Sequence, residues 1–216
     1  MPLLLLATTN LHKTAEIRSI LGPRFTCLTL ADFPGAPAVV EDAGSFAGNA
    51  GKKAQSLAQW ISESEPRGQA DFVLADDSGL EVDALGGAPG VHSARFAALD
   101  TKAPGNSPDA ENNAKLLRML ADLPPARRTA RFRCVIALTR PQHPAEFFEG
   151  ACAGMILRAP QGANGFGYDP LFVPSGFTES FAELGESVKN RISHRSQALE
   201  KLKLYFANAA MRSAAS

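Results

Sequence analysis

Phe72-Val-Leu-Ala-Asp-Asp-Ser-Gly-Leu-Glu-Val-Asp-Ala84 is the stretch on which the reading of this chain turns. Phe72 to Ala75 is a short apolar run, the pattern of a strand buried on both faces. Asp76-Asp77-Ser78-Gly79 is built of turn formers. Leu80, Val82 and Ala84 then alternate with Glu81 and Asp83, as in a half-buried strand. The pattern predicts two strands joined by an acidic turn. Asp76, Asp77, Glu81 and Asp83 put four carboxylates within eight residues. Two readings stand. One is a solvated Asp-rich turn. The other is a Mg²⁺ site, because adjacent acids at a strand end repel unless a cation relieves them, and Mg²⁺ takes hard oxygens while leaving room for phosphates and water. One of the pair could then serve as general base.

Working outward, Leu3 to Ala7 reads as a buried strand, and Ile17, Ile20 and Leu21 mark a helix stopped by Gly22-Pro23. Phe25 to Leu30 reads as a second strand. A Pro/Gly/Ala loop from Pro34 to Gly44 carries Glu41 and Asp42, a second acidic pair that could complete a metal site or stand in solvent. Phe46, Ala50, Ala54, Leu57, Ala58 and Ile61 form a helical stripe, and Ser62 to Asp71 a polar loop. Asp100 to Asn112 is polar and predicts a mobile surface excursion, with a helix from Asn113 to Leu120. Ala130 to Leu138 alternates as a strand, and Glu146 to Leu157 reads as its return. Pro160 to Pro170 is glycine-rich, and a last helix starts at Ser193. Strands and helices mix without βαβ regularity, which predicts a single α/β domain with a mixed sheet.

The 216 residues carry 22 Lys+Arg against 22 Asp+Glu. That balance argues against a nucleic-acid binder, which would carry a basic excess. Apolar residues at 45% suffice for a real core. Cys27, Cys134 and Cys152 form neither a disulfide framework nor a zinc motif, which suits a reducing compartment. No apolar run approaches the ~20 residues that span a bilayer, and Met1 to Ala7 lacks the basic start of a signal peptide. The expectation is a soluble cytoplasmic protein.

Three further clusters stand out. Ala7-Thr8-Thr9-Asn10-Leu11-His12-Lys13 joins a strand to a helix, and the first amides of that helix with Lys13 can hold an anion. An ordinary capped helix has the same appearance. Gly162-Ala163-Asn164-Gly165-Phe166-Gly167-Tyr168-Asp169-Pro170 places aromatic faces and a carboxylate on a glycine-rich loop, which suits a nucleobase, or is a loop with core aromatics. In Lys189-Asn190-Arg191-Ile192-Ser193-His194-Arg195, Ser193 reads as an N-cap. His194 and Arg195 then fall in the first turn, where the dipole disfavours cations, so an anion or acceptor-rich ligand is expected there. A solvated basic stretch is the competing reading. Taken together, the clusters make a nucleoside triphosphate site.

These stretches resemble the inosine triphosphate pyrophosphatase family. The resemblance rests on LLLATTNLHKTAEI, VEDAGSFAGNAGKKA, VLADDSGLEVDALGGAPGVHSARFA, NNAKLL, RFRCVIAL, EGACAGMI, PQGANGFGYDPLFVP, FAEL and KNRISHRSQAL, in family order across nearly the whole chain. It implies an elongated α/β protein of two lobes, with a long mixed sheet and the active site in a cleft between them, usually a homodimer. It implies hydrolysis of ITP, dITP and XTP to the monophosphate and pyrophosphate, with Mg²⁺. By position, Thr8, Thr9, Asn10, Leu11, His12 and Lys13 would hold the phosphates, assisted by Lys53. Asp77 would be the general base and also lie at the metal, with Asp76 and one of Glu41 and Asp42 completing that site. Ser78 would touch substrate, and Phe166, Gly167, Tyr168 and Asp169 would frame the base and sugar. Lys189, His194 and Arg195 would close over the base and phosphate, with Arg195 donating to the 6-oxo group of the purine.

One departure concerns the turn. The family commonly has Thr-Gly-Asn where this chain has Thr8-Thr9-Asn10, so a glycine that needed positive φ would force the turn to shift. A related pyrophosphatase of the Maf type would lack the GFGYDP and SHR pair. A nucleotide sensor without turnover would have no need of Asp76 and Asp77 beside the phosphates.

Overall fold

The computed structural model describes residues 1–63, 70–101 and 104–214. Parts of the expected loops at 62–71 and 100–112 therefore lie outside the described residues. The elements in order are β1 (Leu3–Leu6), α1 (Leu11–Leu21), β2 (Thr26–Thr29), α2 (Phe46–Glu63), β3 (Phe72–Val82), α3 (Ala98–Thr101), α4 (Asp109–Met119), β4 (Thr129–Thr139), β5 (Glu146–Ile156), β6 (Phe172–Pro174), α5 (Phe181–Ile192) and α6 (His194–Ala214). The strands form one mixed sheet in the order β2-β1-β3-β4-β5-β6. β1 is parallel to both β2 and β3, with Leu4 opposite Cys27 and Phe72, whereas β5 and β6 are antiparallel. The α/β class and mixed sheet read from the sequence are those observed.

The chain divides into two compact units. Met1–Asp77, Cys134–Gly150 and Arg195–Ser216 form the first, and Ser78–Arg133 with Ala151–His194 the second. In the first, Leu4 and Leu6 of β1, Leu74 of β3 and Ile136 of β4 pack with Ile17 and Ile20 of α1 and with Ala198, Leu199 and Leu202 of α6. Ile17, Ile20 and Leu21 of α1, like Ala198, Leu199 and Leu202 of α6, lie at i, i+3/i+4 spacings, which is why those faces turn inward. In the second, Leu80, Val82, Phe132 and Phe172 of the sheet pack with Leu116 of α4 and Phe181 of α5.

Three expectations are corrected. Asp76-Asp77-Ser78-Gly79 is not a turn: it lies inside β3, a continuous strand of 11 residues. The turn preference loses because both aspartates find polar partners in the fold and because Gly79 is needed where it stands. A Cβ on Gly79 would lie 2.5 Å from the Gly90 carbonyl oxygen and closer still to the Ser93 hydroxyl, which itself accepts from the Leu80 amide at 2.9 Å. Second, the polar segment before Asn113 is more ordered than a surface excursion. Ala98–Thr101 is a helical turn, and α4 begins at Asp109. Buried Asn112 accepts from the Ala97 amide at 2.8 Å and donates to the Ala94 carbonyl at 3.3 Å. Third, α5 precedes the expected last helix. Ser180 caps it with Glu183 in a capping box, and Gly185, at φ 74°, kinks it. That kink interrupts the period that would have revealed it. α6 starts after Ser193, which has the extended backbone of a cap.

Candidate active site

In the first unit, the end of β1 and the start of α1 form the expected strand–cap–helix join. Asn10 has extended backbone, and its side chain accepts from the Lys13 amide at 3.0 Å. The Thr8 hydroxyl accepts from the Asn10 amide at 3.1 Å. Leu11 and His12 occupy the next two positions, and the first amides of a helix have no intrahelical acceptor. Leu11 is 79% exposed, so its side chain adds nothing to the core. Thr9 needs no left-handed backbone: among the described residues, Gln142 is the only non-glycine at positive φ. The turn accommodates threonine without a shift to positive φ.

Strand alternation separates the two aspartates, because successive side chains point to opposite faces. Asp76 is 1% exposed and meets two cations. Its Oδ1 accepts from Lys13 Nζ at 2.6 Å, its Oδ2 from Arg195 Nε at 2.8 Å and from the Cys134 thiol at 3.2 Å. Arg195 also pairs with buried Glu16. Burial alone would raise the Asp76 carboxyl, but the charges of Arg195 and Lys13 prevail and hold it well below the usual carboxylate range. Burial and the adjacent Asp76 charge push the Cys134 thiol well up.

Asp77 faces different partners. Its Oδ2 accepts from Asn49 Nδ2 at 3.1 Å, and its Oδ1 lies 3.6 Å from Lys53 Nζ. Lys53 Nζ also reaches Glu41 at 3.2 Å and donates to the Asp76 carbonyl at 2.8 Å. Asn49 and Lys53 stand one turn apart on α2, capped by Ser45. Burial raises the Asp77 carboxyl to about 6, with the Glu41 charge adding to the rise and the two lysines opposing it.

The structure divides the expected metal set. Asp76 faces away from Asp77, and both of its oxygens accept from cations. Asp42 is also elsewhere, paired with Lys52 at 2.6 Å and largely exposed. Among the described residues no group of three His, Cys, Asp or Glu side chains gathers around a common point. What remains is Glu41 with Asp77, two hard-oxygen donors on either side of one lysine.

In the second unit, Ser78 follows Asp77 on β3 and is half-buried. Gly167, at φ 63°, lies between Phe166 and Tyr168. Asp169 Oδ2 accepts from the Phe166 amide at 2.9 Å and from Lys189 Nζ at 2.5 Å. The Lys189 ammonium also sits 4.5 Å from the centre of the Phe166 ring. The Tyr168 hydroxyl donates to the Ser93 carbonyl at 2.9 Å, and burial raises it above its ordinary range. His194 is buried and stacks on Phe132, with centroids 4.8 Å apart.

Lys189, His194 and Arg195, expected over the base and phosphate, lie in the interior. Each is nine-tenths buried or more, and their cationic or aromatic groups hold protein partners. The Arg195 guanidinium pairs with Asp76 and Glu16. The capped helix start does carry His194 and Arg195, as read from the sequence, and acids of the protein answer Arg195. The sequence reading missed Glu16, Asn49 and Cys134. Each is a polar or thiol side chain at a position whose helical or strand period is otherwise apolar, and that mismatch was the available signal.

Fold and site together define a class: an α/β protein with an anion-binding helix start and a buried carboxylate–lysine cluster, the equipment of a phosphoanhydride hydrolase. The chain belongs to the Ham1 family, whose model matches residues 4–205. It is 48% identical over 199 residues to the dITP/XTP pyrophosphatase of Desulforamulus reducens, covering 92% of each chain. It is 47% identical to the enzyme of that name from Opitutus terrae, covering 91% of this chain and 95% of the relative. Among solved structures, a HAM1 protein from Coxiella burnetii superposes with a TM-score of 0.81 at 36% identity, covering 96% of this chain and all of that one. The nucleoside-triphosphatase / dITP/XTP pyrophosphatase of Mycobacterium abscessus gives 0.70 at 39%, covering 93% and 98%.

Proposed function

We propose that this chain hydrolyses the noncanonical purine nucleoside triphosphates ITP, dITP and XTP to the monophosphate and pyrophosphate, and so cleanses the nucleotide pool. The observation that carries the chemistry is Asp77. It is a nearly buried carboxyl raised to about 6, held by Asn49 and flanked by Lys53 and Glu41. A base with that value is mostly ionised at pH 7 and still a competent proton acceptor.

In this reading Thr8 to Lys13 receive the phosphates, with the amides at the start of α1 facing negative charge. Lys13 is fixed by Asp76, which Arg195 and Glu16 fix in turn. Asp77 takes a proton from a water whose oxygen bonds to the α-phosphorus. The bond from that phosphorus to the bridging oxygen breaks, and pyrophosphate leaves. Lys53 and Lys13 offset the charge that develops. Glu41 and Asp77 suit Mg²⁺, which commonly takes one or two carboxylates and fills the rest of its shell with phosphate oxygens and water. Bound there, it would neutralise phosphate charge. Phe166, Gly167, Tyr168 and Asp169 frame the base and sugar, backed by Lys189.

The family relationship supports a homodimer, and three cysteines outside any disulfide are compatible with the cytoplasm. No described helix is long and apolar enough to cross a membrane. The test is a panel of nucleoside triphosphates with Mg²⁺, products resolved by chromatography. Equal amounts of monophosphate and pyrophosphate from ITP, dITP and XTP are expected, with ATP turned over far more slowly. Release of orthophosphate with a diphosphate product would overturn the reading.

A further inference from the structure

The loop that carries Phe166 and Tyr168 pivots on Gly167, and Gly167 is held by a helix that takes no part in the site described above. The Gly167 amide donates to Asp109 Oδ2 at 2.6 Å. The Gly167 carbonyl accepts from Asn113 Nδ2 at 3.0 Å. Asp109 and Asn113 are one turn apart at the start of α4, so their side chains lie on the same face. Both peptide groups of one residue are thus gripped by one helical turn.

That grip matters because of where it falls. Gly167 sits at φ 63°, in the region where glycine has most conformations to choose from. Its two flanking peptides set the directions in which the Phe166 and Tyr168 side chains leave the backbone. Phe166 is tied at its amide by Asp169 and at its ring by Lys189, and Tyr168 at its hydroxyl by Ser93. Without Asp109 and Asn113 the glycine between them would be free to turn. Among the described residues no other hydrogen bond reaches the Gly167 peptide groups.

Asn113 gives a second, independent sign. Its side-chain oxygen is buried with no hydrogen-bond partner. Its amide cannot be reversed, because the nitrogen must face the Gly167 carbonyl. A half-satisfied buried amide is a poor choice for stability alone. Its presence is explained by what the nitrogen holds.

We propose that Asp109 and Asn113 are positioning residues that preset the Phe166–Tyr168 platform for the purine, so that ordering the loop is done by the fold and not at the expense of substrate affinity. The inference rests on the reading of Phe166 to Asp169 as the base-binding loop. A loop preset in this way makes the same contacts in the ground state and the transition state, so losing it raises KM and leaves kcat nearly unchanged.

The experiment measures kcat and KM for ITP, with Mg²⁺ present, in Asp109→Ala, Asn113→Ala, the double variant and Asp109→Asn, with Phe166→Ala alongside. Each alanine variant is expected to raise KM about tenfold, the worth of one lost hydrogen bond, with kcat within about threefold. The double variant is expected to cost little more than the worse single one, since both side chains hold the same residue. Asp109→Asn keeps an acceptor oxygen for the Gly167 amide, so KM should return close to the wild-type value. Asp109 is exposed, so its variants test the proposal even if Asn113→Ala does not fold. If Phe166→Ala raises KM while Asp109→Ala does not, the positioning role is refuted and the base-loop reading stands. If Phe166→Ala leaves KM unchanged, the base-loop reading fails and takes this proposal with it. If Asp109→Asn is as impaired as Asp109→Ala, the hydrogen bond is not what matters and the proposal is wrong.

Discussion

Replacing the proposed general base should make the metal-free protein more stable. The carboxyl of Asp77 has an ordinary value of 3.8 and is raised to about 6 in the folded chain, chiefly by burial. The folded state therefore holds that proton more tightly than the unfolded state does. Below pH 4 both states are protonated and burial carries no ionic penalty. Between pH 4 and 6 the unfolded chain ionises first, and stability falls. Above pH 6 the penalty is fully present. At ~1.4 kcal/mol per pH unit of difference, it reaches ~3 kcal/mol. Asp77→Asn removes this penalty and keeps an oxygen to accept from Asn49. Lys53 loses one partner but keeps Glu41 and the Asp76 carbonyl. The expected gain is thus about 1–3 kcal/mol at pH 8, shrinking toward zero by pH 4, while turnover falls by ~10²–10⁴. The assay is thermal or urea unfolding of both proteins in EDTA, from pH 4 to pH 8, with ITP hydrolysis measured separately in Mg²⁺. An Asp77→Asn protein less stable than wild type at pH 8, or an advantage that does not change with pH, would refute the argument that burial and Glu41 strain this carboxyl.

Other outcomes follow from the same geometry. Arg195→Ala leaves Asp76 and Glu16 buried without their shared cation. Turnover of ITP and ATP should fall together through the loss of a well-placed Lys13, and an ITP/ATP ratio that narrows would return Arg195 to base reading. Glu41→Gln should raise the Mg²⁺ concentration needed for half-maximal activity by about tenfold or more, whereas Asp42→Ala, which breaks only an exposed pair with Lys52, should stay near wild type; the reverse pattern would exchange their roles. Gly79→Ala must displace Ser93 or the Gly90 backbone, at a cost of about 1–3 kcal/mol for overpacking, and an unchanged unfolding midpoint would show that the contact relaxes freely.

The sequence by itself determined the class and most of the parts. Local signals were sufficient wherever the period was clean: β1, α1, α2, β4 and β5 follow from apolar spacing, and the capped start of α1 and the Ser193 cap from residue types next to that spacing. The family could be read from motifs, and with it the set of chemical groups. Tertiary structure decided how those groups are shared out. Asp76-Asp77-Ser78-Gly79 has the local preference of a turn, and only long-range partners make it a strand: Lys13 and Arg195 on one face, Asn49 and Lys53 on the other, and Ser93 against Gly79. Arg195 is 119 residues from Asp76, so no window of sequence could pair its charge with that carboxylate. The same holds for Asp109 and Asn113, whose helical spacing is visible in the chain but whose common partner, Gly167, is more than fifty residues away. Strand alternation then does the rest. It turns two neighbouring aspartates, alike in sequence, into one buried anchor held well below the usual carboxylate range and one strained carboxyl poised near neutral pH.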